Sequence, residues 1–373
     1  MLGNFTESLK GTVGGVALLI ASFPILFKNE GCAVDIAKGL EEGAALVQSI
    51  DAKQSLTNYN SKLIHASGEA KAGAKISDSS LGVEVSALAL VRGVEMYQWE
   101  EKVTEKEEGS KKSKEYSYDA DWSSTKVDSS KFEYKKDHTN PPFPYKDETF
   151  RPSSVSLGNL QFSQSLIESI TSYSEFTYDA ATIARIKAKL GAKTQIHDGG
   201  IYIGKNPLSP EIGDVRIKHQ IAPEGTASII GLLNGDTVNP YQTKRDTTIL
   251  VFDYGTKDAA TMFKEEQDAN VFRTWAVRII GFFAMFLGFR LLFGPIAAAG
   301  GWIPILGGIL EMGVSIVAGI LAFSFSFVTI AIAWIFFRPI LGIGLLLLGG
   351  GAFAYLLYQK GKFGNKPPEA AKT

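Results

Sequence analysis

Residues 312–337 read MGVSIVAGILAFSFSFVTIAIAWIFF, which is 26 consecutive positions without a charged side chain. At 1.5 Å per residue such a helix is about 39 Å long, more than the roughly 30 Å hydrocarbon core of a bilayer. The stretch therefore predicts a membrane-spanning helix, whose bounds we set at 309–337. A run of this length excludes a plain soluble domain.

Three further stretches predict spans. Residues 339–359 follow a turn at Arg338-Pro339, and residues 273–293 precede a linker, 294–308, that is rich in Gly and Pro and that we place at the membrane interface. Residues 11–28 lack the basic start and the cleavage site of a signal peptide, so they predict a retained anchor helix. The predicted fold class is a membrane protein with four transmembrane α-helices, one N-terminal and three C-terminal. A large α+β extramembrane domain is inserted between the first and second.

Flanking charges predict the topology. The tail, 360–373, carries four lysines against one glutamate, so the positive-inside rule makes both the tail and residues 1–10 cytoplasmic. The domain, 29–272, is then lumenal or periplasmic. Lys264, Arg273 and Arg278 flank the second span on the outer side and oppose this orientation, but long domains translocate despite such charges.

Within the domain, alternating and apolar runs predict strands and intervening helices. The strands are expected at 62–69, 88–99, 196–203, 214–221, 226–233 and 247–254, with helices within 167–190 and at 257–270. A charged hairpin turning at Gly109-Ser110 leads into a return strand with an aromatic face, Tyr116, Tyr118 and Trp122.

No pattern of catalytic residues is present in the sequence. The four histidines have no metal-ligand spacing, Cys32 is the single cysteine, and neither a nucleophile elbow nor a phosphate-binding loop occurs. The sequence therefore predicts no catalytic residue, no cofactor or cofactor-binding residue, and no metal site. With 38 basic and 39 acidic residues, the chain also lacks the positive charge that nucleic acid binding requires.

Two groups of residues in the spans are candidate sites. Arg290 ends the second span and Glu311 begins the third on the same side, so they either form an ion pair at the mouth of a polar path or each reach the interface separately. A face of small and hydroxyl side chains on the third span predicts helix packing, self-association or a pore lining. That face consists of Ser315, Gly319, Ala322, Ser326 and Thr329.

Several motifs, in the same order along nearly the whole chain, resemble the LUMA (transmembrane protein 43) family. The most specific is Val94-Glu95-Met96-Tyr97-Gln98-Trp99. The others are Gly14-Gly15-Val16, Phe27-Lys28-Asn29-Glu30-Gly31, Tyr116-Ser117-Tyr118 with Trp122, Lys205-Asn206-Pro207, Glu211-Ile212-Gly213-Asp214-Val215-Arg216, Thr274-Trp275, Ala284-Met285-Phe286 and Trp334-Ile335-Phe336-Phe337-Arg338-Pro339.

The resemblance implies a four-span protein of the endoplasmic reticulum and inner nuclear membrane, with a lumenal domain, self-association, and emerin- and lamin-type partners. Because 29–272 contains no Asn-x-Ser/Thr acceptor, a bacterial member with a periplasmic domain is an alternative. We therefore expect a non-enzymatic, self-associating protein that organises a membrane or envelope, with the lipid bilayer as a partner. The alternatives are an ion channel or pore subunit and, third, a membrane-embedded enzyme acting on lipid.

Overall fold

The computed structural model describes residues 2–108, 111–191, 193–296, 304–344, 347 and 355. The helices are α1 (Leu2–Leu46), α2 (Gln164–Ser169), α3 (Ala180–Leu190), α4 (Ala259–Leu292) and α5 (Pro304–Phe337). The chain divides into two compact units. One comprises Met1–Glu41, Lys244–Thr247 and Lys264–Thr373, and the other Glu42–Thr243 and Thr248–Phe263.

Among the described residues, three helices are long and apolar enough to cross a membrane. They contain Gly11–Leu46 of α1, the whole of α4, and Met312–Phe337 of α5. These correspond to the predicted spans 11–28, 273–293 and 309–337. The predicted fourth span, 339–359, lies mostly outside the described residues, of which 339–344 are helical. The predicted linker, 294–308, is described only at its two ends.

Helix α1 continues without a break beyond the predicted span 11–28, as the helical spacing of residues 30–48 predicts. It includes Pro24 and ends at Leu46. A proline is tolerated inside a membrane helix because neighbouring helices and hydroxyl side chains satisfy the backbone groups that it frees. Two residues before Pro24, the Ser22 hydroxyl donates to the Leu18 carbonyl at 2.7 Å.

Glycines allow α1 and α4 to approach closely. A Cβ on Gly15 would lie 2.7 Å from the Gly288 carbonyl oxygen, and one on Gly281 would lie 2.5 Å from a methyl of Leu26. The buried core of this membrane-helix unit adds residues from α4 and α5, namely Met285, Phe289, Ala318 and Ala322. The bundle is therefore built on backbone proximity, as expected where lipid offers no hydrophobic driving force.

The second unit is β-rich. Its strands, in chain order, are β1 (Gln48–Ser49), β2 (Leu63–Ala72), β3 (Ile76–Asp78), β4 (Val83–Val85), β5 (Ala87–Glu108), β6 (Lys111–Ser123), β7 (Glu148–Phe150), β8 (Val155–Leu157), β9 (Leu160–Phe162), β10 (Ser174–Glu175), β11 (Thr194–His197), β12 (Gly200–Ile203), β13 (Val215–Pro223), β14 (Gly225–Asn234), β15 (Thr237–Asn239), β16 (Tyr241–Gln242), β17 (Thr248–Ile249) and β18 (Val251–Tyr254).

Five of these strands pair in a closed ring. The order is β2, β8, β9, β15 and β14, and β14 then pairs antiparallel with β2 from Gly225↔Ala70 to Leu232↔Leu63. Strand β1 pairs with β2 on the same side as β8, and β18 pairs with β14 on the same side as β15. The ring encloses apolar side chains that include Leu157, Leu160 and Ile229, which are fully buried. Closure removes the sheet edges that would otherwise be open to pairing with another chain.

A second sheet is organised on β5. Its order is β11-β12-β13-β5-β6, with β10 on β13 and β7 on β5. Strand β13 pairs with the first half of β5 as far as Val215↔Met96, and β6 pairs with the second half from Met96↔Ser123 onward. The core beneath it contains Leu90, Ile217 and Ile186 of α3, all fully buried.

The structure corrects the strand prediction in two places. The single strand expected at 196–203 is a hairpin, β11 and β12, because Asp198 and Gly199 adopt φ values of 49° and 68° and form a tight turn. The helix expected within 167–190 is two, α2 and α3, separated by β10. The predicted charged hairpin is confirmed, and its two arms are strands that stay paired as far as Glu108 and Lys111.

Candidate functional site

A buried carboxylate joins the three membrane helices. Glu30 of α1 has no exposed surface, and its two oxygens accept from Arg278 of α4, at 2.7 Å from Nε and 2.8 Å from Nη2. The indole N–H of Trp334 on α5 donates to Glu30 Oε2 at 2.8 Å. One acidic side chain thus holds one group from each of the other two helices.

Aromatic rings complete the surroundings of Arg278. Its guanidinium carbon lies 4.7 Å from the ring centroid of Trp275 and 5.8 Å from that of Trp334. Cation–π contacts of this kind strengthen when the cation is desolvated, and only 14% of the Arg278 side chain is exposed. We call Glu30, Trp275, Arg278 and Trp334 the ion-pair node.

Amide side chains extend the polar contact between α1 and α4. Asn29 donates to the Thr274 carbonyl at 3.2 Å, Asn270 to the Ala33 carbonyl at 2.9 Å, and Gln267 to the Ala37 carbonyl at 2.8 Å. Successive contacts are about one turn apart along both helices, so together they fix the register of α1 against α4. Both Glu30 oxygens are already used, and the arrangement is therefore one of positioning rather than ligand binding.

The predicted small-residue face lies on the buried side of α5. Ala322 is fully buried, and Ser326 and Thr329 are 6% and 7% exposed. The Ser326 hydroxyl donates to Met285 Sδ of α4 at 3.2 Å, and the Thr329 hydroxyl to the Phe325 carbonyl at 2.7 Å. Gly319 faces the ring of Phe286 on α4, and Ser315 is half-buried. Gly319 and Ser326 of this face therefore contact α4, and its roles in self-association or as a pore lining stay predictions.

The predicted pair of Arg290 and Glu311 has no described geometry. Arg290 lies in the last turn of α4. Glu311 belongs to α5, but its side chain lies outside the described residues. The pair stays a prediction.

A second buried polar cluster lies in the β-rich unit. Arg92 of β5 donates to Asp78 Oδ2 of β3 at 2.7 Å, and its other arm contacts Glu148 at 2.7 Å. His219 of β13 places Nε2 3.2 Å from Asp78 Oδ2 and Nδ1 2.8 Å from the Tyr178 hydroxyl. All but Glu148 are nearly or fully buried.

Hydrogen bonding sets the ionisation of this cluster. Burial raises the pKa of Asp78, but the hydrogen bonds from His219 and Arg92 outweigh it, so the pKa lies below its ordinary value. Burial raises the pKa of Tyr178. A buried carboxylate with two such partners is fully compensated, which is the pattern of a structural cluster. Across the described residues, no group of three His, Cys, Asp or Glu side chains is arranged to hold a metal.

Sequence reasoning missed the ion-pair node. It treated Arg278 as a flanking charge and Glu30 as a residue just past the first span. The available signal was a pair of opposite charges on the same, outer side of two consecutive predicted spans. Glu30 lies two residues after the end of 11–28, and Arg278 lies five residues after the start of 273–293. Such charges at a membrane boundary are expected to pair within the bundle.

These features define the class as a membrane protein with apolar helices at both ends of the chain, joined by a buried ion pair, and with a β-rich unit in between. The family model for transmembrane protein 43 matches residues 96–339. The chain therefore belongs to the transmembrane protein 43 family, as the resemblance of its motifs indicated.

Curated relatives match over most of their length. Transmembrane protein 43 of Mus musculus is 32% identical over 359 residues, covering 90% of this chain and 88% of the relative. The Homo sapiens protein is 30% identical, covering 96% and 92%. The Drosophila melanogaster homolog is 29% identical, covering 95% and 97%. No solved structure matches this chain.

Proposed function

We propose that this chain is a non-enzymatic, self-associating membrane protein that organises the membrane or envelope in which it lies. The observation that carries the proposal is the ion-pair node, because its buried charged groups hold the three helices together. Transporters and proton relays instead keep such groups facing a cavity or a pathway.

A face of small residues on α1 supports self-association. Among the described residues, none comes within 4 Å of a Cβ placed on Gly14, and Ala17 and Ala21 are exposed on the same side of the helix. Gly15, one residue on, is buried against α4. Small residues on an open helix face let a second helix approach closely, so a second copy of the chain is the proposed partner.

The hydroxyl groups of α5 do not favour the pore alternative. Ser326 donates to Met285 and Thr329 to the Phe325 carbonyl, and both side chains are buried. A pore lining would present such groups to water. The alternative of a lipid-acting enzyme gains no support either, since the buried polar groups of the β-rich unit form hydrogen bonds with one another.

The test is the mass of the protein in lipid nanodiscs, measured by native mass spectrometry over a range of protein concentrations. The paired substitution Gly14→Leu and Ala17→Leu is expected to shift the protein toward monomer, because it widens the approach of the two helices. Val16→Leu adds volume at an exposed position on another face and serves as the control. A wild-type protein that is monomeric at every concentration would refute self-association.

We extend the proposal to compartment and partners. In a eukaryotic cell the protein would lie in the endoplasmic reticulum and inner nuclear membrane with emerin- and lamin-type partners, and in a bacterium in the inner membrane with a periplasmic domain. Protease protection of the β-rich unit in sealed vesicles tests the orientation. Digestion of that unit from the cytoplasmic side would overturn it.

A further inference from the structure

An apolar groove opens between α1 and α5. Its volume is about 510 Å³, and its walls include Phe23 and Phe27 of α1 and Phe325, Val328 and Ile332 of α5, with Lys28 at one end. The volume is within the range of about 300–1,000 Å³ that small-molecule sites occupy. We call it the α1–α5 groove.

Aromatic contacts give the groove defined walls. The rings of Phe23 and Phe325 meet edge to face with centroids 6.1 Å apart, and Phe27 packs on Phe337 at 5.2 Å. The hydroxyl of Thr329, also in the lining, is turned to the Phe325 carbonyl. The surface left for an occupant is therefore nearly all apolar, which suits a hydrocarbon chain and excludes a polar ligand.

Lys28 supplies a positive charge at the end of this apolar surface. It is exposed and makes no ion pair or hydrogen bond within the part of the chain that the structure describes. Glu30, the nearest acidic residue in sequence, is already engaged by Arg278 and Trp334. The charge of Lys28 is thus available to an external anion.

We propose that the α1–α5 groove binds one anionic phospholipid, with an acyl chain along the phenylalanine walls and the headgroup phosphate on the Lys28 ammonium. The hydrocarbon fills the apolar length and the phosphate complements the single charge. Basic residues near a membrane surface attract anionic lipid by about 1 kcal/mol each, which corresponds to about a fivefold preference over a zwitterionic lipid.

Native mass spectrometry of the full chain, titrated with phosphatidylglycerol or with phosphatidylcholine of the same acyl chains, tests the proposal. We expect one phosphatidylglycerol to be retained about fivefold more often than phosphatidylcholine. Lys28→Gln should remove that preference. Lys38→Gln, which removes an exposed charge of α1 outside the groove, should preserve it.

Two further measurements identify the occupant. Val328 is 51% exposed, so Val328→Trp is expected to fill the groove without unfolding the protein and to reduce retention of both lipids. A benzophenone side chain at position 328 should photo-crosslink to lipid. A crosslink to residues 345–359 or to a second copy would overturn the proposal, as would equal phosphatidylglycerol retention by the wild type and Lys28→Gln.

Discussion

Replacing Glu30 with glutamine removes the negative charge of the ion-pair node and preserves the shape of the side chain. Glutamine offers one acceptor oxygen in place of two. In the position of Glu30 Oε2 that oxygen can still accept from Arg278 Nη2 and from the Trp334 indole, but the amide nitrogen in the position of Oε1 cannot accept from Arg278 Nε. Arg278 would keep its stacking on Trp275, and its charge would have no counter-ion in the node.

The expected loss of stability follows from these contacts. Hydrogen bonds to charged groups contribute about 1.5–3 kcal/mol each, and removing one partner of a buried ion pair costs about 3–5 kcal/mol. Because glutamine can retain the two hydrogen bonds that Oε2 accepts, we expect the lower end, about 3 kcal/mol. That is about a hundredfold in the unfolding equilibrium.

The assay is reversible unfolding in mixed micelles, followed by tryptophan fluorescence, since Trp275 and Trp334 both lie in the node. The matched control is Asp35→Asn, on the same helix. Asp35 forms a half-exposed pair with Arg245 at 3.4 Å, so its loss should cost less than about 1 kcal/mol.

A double-mutant cycle sharpens this prediction. Glu30→Leu combined with Arg278→Met removes both charges and should lose much less stability than either single change, because neither charge is left buried alone. Two results would refute the reasoning. One is a Glu30→Gln protein within about 0.5 kcal/mol of the wild type, and the other is a double variant whose loss equals the sum of the single losses.

Three more expectations can be measured with the same unfolding assay or its pH dependence. Gly15→Ala should destabilise the helix bundle by about 1–3 kcal/mol, because its Cβ would lie 2.7 Å from the Gly288 carbonyl oxygen. Gly14→Ala, the control, should leave the stability unchanged or raise it. Equal effects of the two substitutions would contradict the packing described. Asp78→Asn should cost the β-rich unit about 3 kcal/mol, at the low end because Arg92 keeps Glu148, and a loss below about 1 kcal/mol would argue against a buried pair. Since the pKa of Asp78 in the folded protein lies below its ordinary value of 3.8, the carboxylate stabilises the fold above pH 3.8, and this stability is lost as the pH falls through the folded pKa. Asp78→Asn should therefore reduce the fall in the free energy of unfolding at acid pH. An unchanged fall would exclude Asp78 as its source.

The membrane helices could be predicted from sequence because length and the absence of charge suffice. The 26 uncharged residues at 312–337 recur as a continuous helix, and the small residues around Ala322 face another helix. The continuation of α1 beyond Lys28 could also be predicted, because residues 30–48 keep the apolar spacing of a helix, and α1 ends at Leu46.

The sites depend on tertiary contacts that no local pattern encodes. Glu30 meets Arg278 and Trp334 across separations of 248 and 304 residues, and β2 meets β14 across about 160 residues. The Asp198-Gly199 turn was different, because its signal was local and the strand prediction overrode it. The sequence therefore shows the signals of turns and helices, whereas the long-range partners of Glu30 and β2 are known only from the fold.

The sequence separation within the ion-pair node also sets an order of events during synthesis. Glu30 leaves the ribosome 248 residues before Arg278 and 304 residues before Trp334. At about 5–20 residues per second, the carboxylate waits roughly 15–60 s for its last partner. Arg278 supplies the counter-ion first, after roughly 12–50 s at the same rate, so the first helix carries an unpaired acid only until α4 is made. A chain that ends before α4 keeps that acid without its counter-ion, whereas one that ends before α5 lacks only the Trp334 indole.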